Sequence, residues 1–97
     1  MTKPKFSLGQ LLSMPAALKA IEDAGQTLGF FLDRHVQGDW GEVDDEDKLA
    51  NDQALVDGGR LLSAYRTLKN CRIWLITEAK DDQGERAATT AILPSEY

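Results

Sequence analysis

The sequence predicts an α+β domain in which N-terminal helices pack on a three-stranded antiparallel β-meander. Three observations carry this. Apolar residues up to about position 57 recur at helical spacing. A Gly58-Gly59 pair then interrupts the chain. Beyond it the runs shorten and become β-branched and aromatic, with turn signals between them. One domain over 1–97 is expected, its helical half spanning about 7–57 and its β-meander about 60–94.

The helical half reads as follows. Ser7 is a candidate N-cap, and Leu8, Leu11 and Leu12 follow at helical spacing. Ser13-Met14-Pro15 restarts the pattern, because Pro is tolerated in a first turn and disfavoured inside a helix. Ala17, Leu18 and Ile21 share a face, and Gly25 ends that helix. Thr27 is the next N-cap, with Leu28, Phe31, Leu32 and His35 forming a stripe that Gly38 closes. Asp39-Trp40-Gly41 reads as a tight loop. Asp44 caps a third helix whose first turn is Asp45-Glu46-Asp47 and whose Leu49, Leu55 and Val56 are expected to pack inward.

Strand candidates cover 60–67, 71–78 and 86–93. The second is the clearest, since Ile73-Trp74-Leu75-Ile76 is continuously apolar, as in a central strand covered on both faces. Leu68-Lys69-Asn70 turns between the first two strands, and Asp81-Asp82-Gln83-Gly84 lies between the last two. Pro94 stops the third.

Composition narrows the function classes. The 97 residues carry 11 bases, 16 acids, one His and one Cys, a net charge of −5. One Cys forms no internal disulfide, and one Cys with one His builds no Cys/His zinc site. No run approaches the roughly 20 apolar residues of a membrane span. Met1-Thr2-Lys3-Pro4-Lys5-Phe6 is not followed by a signal-peptide core, so the cytoplasm is the default expectation. No dinucleotide fingerprint or phosphate loop occurs, and an EF-hand reading from Asp39 fails because its sixth residue is Asp44 rather than Gly. No metal and no cofactor are expected.

The charge is uneven. Residues 39–57 hold eight acids (Asp39, Glu42, Asp44, Asp45, Glu46, Asp47, Asp52 and Asp57) and one base, Lys48, for −7; the other 78 residues carry a net +2. Such a block repels phosphates and anionic lipid and attracts basic partners. It can simply start a helix and keep the protein soluble. It can also imitate nucleic-acid phosphates in a basic groove. Trp40, in the turn that opens the block, is either a lid on the core or an exposed anchor for a partner.

His35 is the one side chain whose unperturbed pKa lies near neutrality. On an apolar stripe it reads first as a buried, hydrogen-bonded core residue. It also permits a metal-independent ribonuclease, with His35 as general acid/base and Arg60 and Ser63 or Tyr65 at the phosphate. Alternation sets Leu61, Ser63, Tyr65 and Thr67 on one face of their strand and Arg60, Leu62, Ala64 and Arg66 on the other.

Several segments together resemble a known family: Phe6-Ser7-Leu8-Gly9-Gln10-Leu11-Leu12, Arg34-His35-Val36-Gln37-Gly38-Asp39-Trp40-Gly41, Asn51-Asp52-Gln53-Ala54-Leu55, Arg60-Leu61-Leu62-Ser63-Ala64-Tyr65, Ile73-Trp74-Leu75-Ile76-Thr77-Glu78 and Thr89-Thr90-Ala91-Ile92-Leu93-Pro94. The chain looks like small bacterial proteins carried on plasmids and integrated elements, often labelled plasmid-related or as a modification subunit of a type I restriction system. The second label conflicts with the residues, since no glycine-rich cofactor loop and no Asn/Asp-Pro-Pro-Tyr/Phe motif occurs. The resemblance implies a mobile-element context of unknown function. A helix bearing His before strands bearing Arg, Ser/Thr and Tyr is also similar in layout to the barnase–EndoU–colicin–RelE ribonucleases, an analogy of fold alone.

The leading expectation is a non-enzymatic, cytoplasmic interaction protein. It would act on a protein partner with a basic surface, as an inhibitor of a nucleic-acid-targeting defence system such as CRISPR or restriction. Asp39, Trp40, Glu42, Asp44, Asp45, Glu46 and Asp47 are its candidate contacts. No direct nucleic-acid or membrane contact is expected, and a homodimer through a sheet edge or face stays open. The alternative is the ribonuclease built on His35, Arg60, Ser63 and Tyr65.

Overall fold

A computed structural model describes residues 3–97. Met1 and Thr2, part of the stretch read against a signal peptide, lie outside the described residues. The element order is β1 (Gln10–Ser13), α1 (Pro15–Asp23), α2 (Leu28–Val36), α3 (Asp45–Asp57), β2 (Leu61–Arg66), β3 (Arg72–Thr77), β4 (Ala88–Ile92) and a 3-10 turn (Pro94–Glu96). The α+β class holds, but the sheet has four strands in the order β1-β4-β3-β2. β2, β3 and β4 form the expected antiparallel meander, and β1 adds to it in parallel with β4.

β1 corrects the expectation of a helix after Ser7. Only five residues separate Gly9, at φ +65°, from Pro15. That is too short to nucleate a helix, and the residue before Pro is driven to extended geometry, as Met14 shows with ψ 141°. The backbone finds its partners in β4 instead, from Gln10 N–H to Ala87 O (3.0 Å) and from Met14 N–H to Ala91 O (2.9 Å). A Cβ on Gly9 would collide with the Arg86 carbonyl oxygen, so this approach requires glycine.

The other elements start and stop as their caps dictate. The Thr27 hydroxyl accepts from Phe30 N–H, and the Asp44 carboxylate accepts from Asp47 N–H. α3 ends on Gly58 at φ +86°, a left-handed cap. Phe31 and Leu32 of α2 join Ala17 and Ile21 of α1 over Tyr65, Ile73, Leu75 and Ala91 of the sheet. Leu18 departs from the expected inward face of α1 and is 37% exposed.

α3 departs most from its expected packing. Leu49 and Val56 point outward, 69% and 80% exposed, and Leu55 is half-buried. The helix docks through Asn51 and Ala54. The Asn51 amide donates to Leu62 O (2.7 Å) and accepts from Leu62 N–H (3.0 Å), so one side chain replaces a missing neighbouring strand. The next free position of that edge is closed by backbone: Ala64 N–H donates to Trp40 O and Ala64 O accepts from Glu42 N–H. Gly41 bridges to Ala64 at φ +73°, where a Cβ would strike the Ala64 carbonyl.

Asn51→Leu should therefore destabilise the fold by about 2 kcal/mol, because two part-buried backbone groups of Leu62 lose their partners. A lower urea midpoint at unchanged m checks this; an unchanged midpoint contradicts the role given to Asn51.

Candidate functional site

The stripe on α2 carries His35 into the centre of the molecule, where it is fully buried. Its Nδ1 lies 2.5 Å from Ser63 Oγ on β2 and its Nε2 lies 2.8 Å from Thr77 Oγ1 on β3. Thr77 Oγ1 is 2.7 Å from Thr89 Oγ1 on β4, and the Thr89 hydroxyl donates to Leu8 O at 2.8 Å. These bonds have one consistent direction. Thr89 spends its proton on Leu8, so Thr77 donates to Thr89. Nε2–H then donates to Thr77, which leaves Nδ1 bare to accept from Ser63. The tautomer is thus Nε2–H, set by the far end of the chain of hydroxyls.

The network is closed to solvent. Phe6 packs edge-on to His35 at 5.0 Å between ring centroids, and Trp40 does the same at 5.8 Å. Burial, aided by the nearby positive charge of Arg86, pulls the His35 pKa down to about 4, so the ring is neutral near pH 7.

Arg86 was not singled out from sequence. Its guanidinium donates to Ala54 O, Gly59 O and Glu78 O, and it is 5% exposed. It fastens the C-terminal end of α3 to the end of β3. Only its tertiary partners distinguish it from any other strand-flanking arginine.

The ribonuclease set is assembled only in part. Ser63 meets His35 as a hydroxyl–base pair, but both are fully buried. Tyr65 is buried too, and its hydroxyl donates to Asp39 O. Arg60 is exposed on the opposite face of the sheet, its guanidinium 5.7 Å from the Tyr97 ring centroid. The cation and the base thus face opposite sides of the sheet, and no phosphate can reach both.

The acidic segment divides in two. Part of it serves the fold. Asp39 pairs with Arg34 at 2.7 Å, which holds the Asp39 carboxyl below its usual range. Glu42 pairs with Arg66 at 2.8 Å, and Asp44 caps α3. Trp40 is 4% exposed and donates its indole N–H to Asp52, so it is the lid of its two readings and not an exposed anchor. The other part is unengaged. Asp45, Glu46 and Asp47 are exposed in the first turn of α3 and make no ion pair among the described residues. Asp45, Leu49, Asp52 and Val56 recur at i, i+4, i+7 and i+11 and share one outward face. Leu49 and Val56 were misassigned from sequence, although that spacing beside carboxylates was readable there.

The buried histidine gives a pH signature. Its folded pKa near 4 lies below the ordinary value of 6.5, so the unfolded chain binds the extra proton. Its contribution is fully present above pH 6.5 and is lost as pH falls toward 4, amounting to about 3 kcal/mol. Unfolding free energy measured from pH 7 to pH 5 should fall, and His35→Gln should flatten that slope. An equal slope in both proteins contradicts this.

No family model matches the chain, and neither a curated protein nor a solved structure shows significant similarity to it.

Proposed function

We propose that this chain is a non-enzymatic interaction protein from a mobile genetic element, in which α3 docks on the basic surface of a partner protein and so inhibits a nucleic-acid-targeting defence system of the CRISPR or restriction type. The observation that carries the reading is the outward face of α3. Two aliphatic side chains, Leu49 and Val56, stand 69% and 80% exposed among carboxylates on a helix whose fully buried residues are Asn51 and Ala54.

The physical logic joins two terms. Asp45, Glu46, Asp47 and Asp52 supply a negative field that steers the helix to a cationic groove and competes there with phosphate. Leu49 and Val56 supply apolar area that a phosphate backbone lacks, which favours a protein surface over a simple cation. α3, at 13 residues, spans about 20 Å, enough to lie along such a groove. The mobile-element context comes from the family resemblance of the residues, and the ribonuclease alternative gains no favouring observation from a sealed His35.

The test uses calorimetric titration against the purified basic nucleic-acid-binding subunit of a restriction or CRISPR effector. Combined Asp45→Asn, Glu46→Gln and Asp47→Asn should weaken binding roughly tenfold or more at low salt. Leu49→Ser with Val56→Ser should weaken it independently of salt. Binding that both variants leave intact contradicts the docking of α3.

A further inference from the structure

The two edges of the sheet are treated in opposite ways. On β2 every outward position just described is closed, by the Asn51 amide at Leu62 and by the Trp40 and Glu42 backbone at Ala64. On β1 nothing among the described residues does this. Gln10 and Met14 turn their N–H groups toward β4, so alternation turns the backbone of Leu11 and Ser13 outward. The Leu11 and Ser13 N–H groups therefore point away from β4, and no loop or side-chain acceptor meets either among the described residues.

The side chains of this edge are also unusual. Residues 6–18 contain no charged residue, the longest such run in a chain that is 28% charged. Leu11 is 52% exposed, Leu12 43%, Met14 40% and Leu18 37%. Leu11 aligns with Thr89 on the helix side of the sheet and Leu12 with Thr90 on the other, so an aliphatic side chain flanks the open edge on each face. Natural edges are ordinarily protected by charge, Pro or cover, and this one has none of the three within Gln10–Ser13.

We infer that β1 pairs with β1 of a second copy of this chain, antiparallel about a two-fold axis at Leu12, to make a continuous eight-stranded sheet. In that register the Leu11 N–H donates to the carbonyl of Ser13 of the partner subunit, and the Ser13 N–H donates to the carbonyl of Leu11 of the partner subunit. With the symmetric pair, four backbone bonds close both open edges at once. Leu12 faces the partner's Leu12 in the close, non-hydrogen-bonded position.

Charge distribution selects a second copy as occupant. Two chains of −5 repel one another if they meet at random. Here the −7 segment lies with α3 beside β2, at the far end of the order β1-β4-β3-β2. Pairing through β1 puts the two acidic segments at opposite ends of the long sheet, well beyond the screening distance of about 8 Å at physiological salt. The interface itself carries no ionic pair, so salt should not dissolve it.

Sedimentation equilibrium of the wild-type protein over a dilution series tests this. The expected mass is twice the 10.7 kDa of one chain, retained in high salt. Leu12→Lys, at an exposed position, should give the monomer mass. Ser13→Pro should do the same, since it removes an outward N–H and leaves the β1–β4 bonds in place. Cooperative melting of each variant shows that the domain is still folded. Arg60→Glu, near the opposite edge, should remain dimeric. Amide exchange should be slow at Leu11 and Ser13 in the wild type and fast in Leu12→Lys. A wild-type monomer at every concentration overturns the inference, including one that pairs instead with an added peptide strand. A dimer that survives both β1 variants overturns it equally.

Discussion

The structure depends on the chain of hydrogen bonds through His35. Ser63, His35, Thr77, Thr89 and Leu8 belong to β2, α2, β3, β4 and the segment entering β1. One directed network therefore touches four secondary-structure elements and the lead-in to the fifth. Here a slip by one residue turns Ser63 or Thr77 to the other face and strands a buried imidazole nitrogen. The polar centre specifies which strands lie beside which, and the surrounding apolar residues supply the bulk of the driving force.

The same centre accounts for the division of the acidic segment. Trp40 has to cover His35, so the residues around it are held in place: Asp39 by Arg34, Glu42 by Arg66 and the Trp40 indole by Asp52. Beyond the Asp44 cap only Asp52, on the Trp40 indole, and Asp57, on Gly59 N–H, are engaged in this way, and Asp45, Glu46 and Asp47 face water. A run that looks uniform in composition thus holds structural carboxylates at both ends and an uncommitted group, Asp45, Glu46 and Asp47, between them.

Much of this was legible in the sequence, and the part that was not has a physical cause. Thr27, Asp44, Gly38 and Gly58 act locally, through caps and left-handed turns, and each falls where its residue type predicts. The burial of His35 followed from its stripe, and the facing of Ser63 and Tyr65 from alternation. β1 was missed because its partner β4 lies more than seventy residues away and leaves no local trace in a four-residue segment. Asn51 and Arg86 were missed because a polar residue enters a core only when its partners are already there, and those partners are backbone groups that sequence does not distinguish. Leu49 and Val56 were misread by equating aliphatic with inward, a rule that holds in one direction only.

α3 turns that misreading into a structural argument. A helix beside an edge strand could bury Leu49 and Val56 by rotating toward the sheet, each worth about 1.5–3 kcal/mol when fully covered. Such a rotation would take Asn51 away from Leu62 and carry Asp52 away from the Trp40 indole. It would leave an unpaired strand edge and loosen the cover of His35. The hydrogen-bond demands of the edge and of the buried histidine thus fix the rotation of α3 about its own axis. The aliphatic and acidic residues are left on the outside by the same constraint that holds the core together.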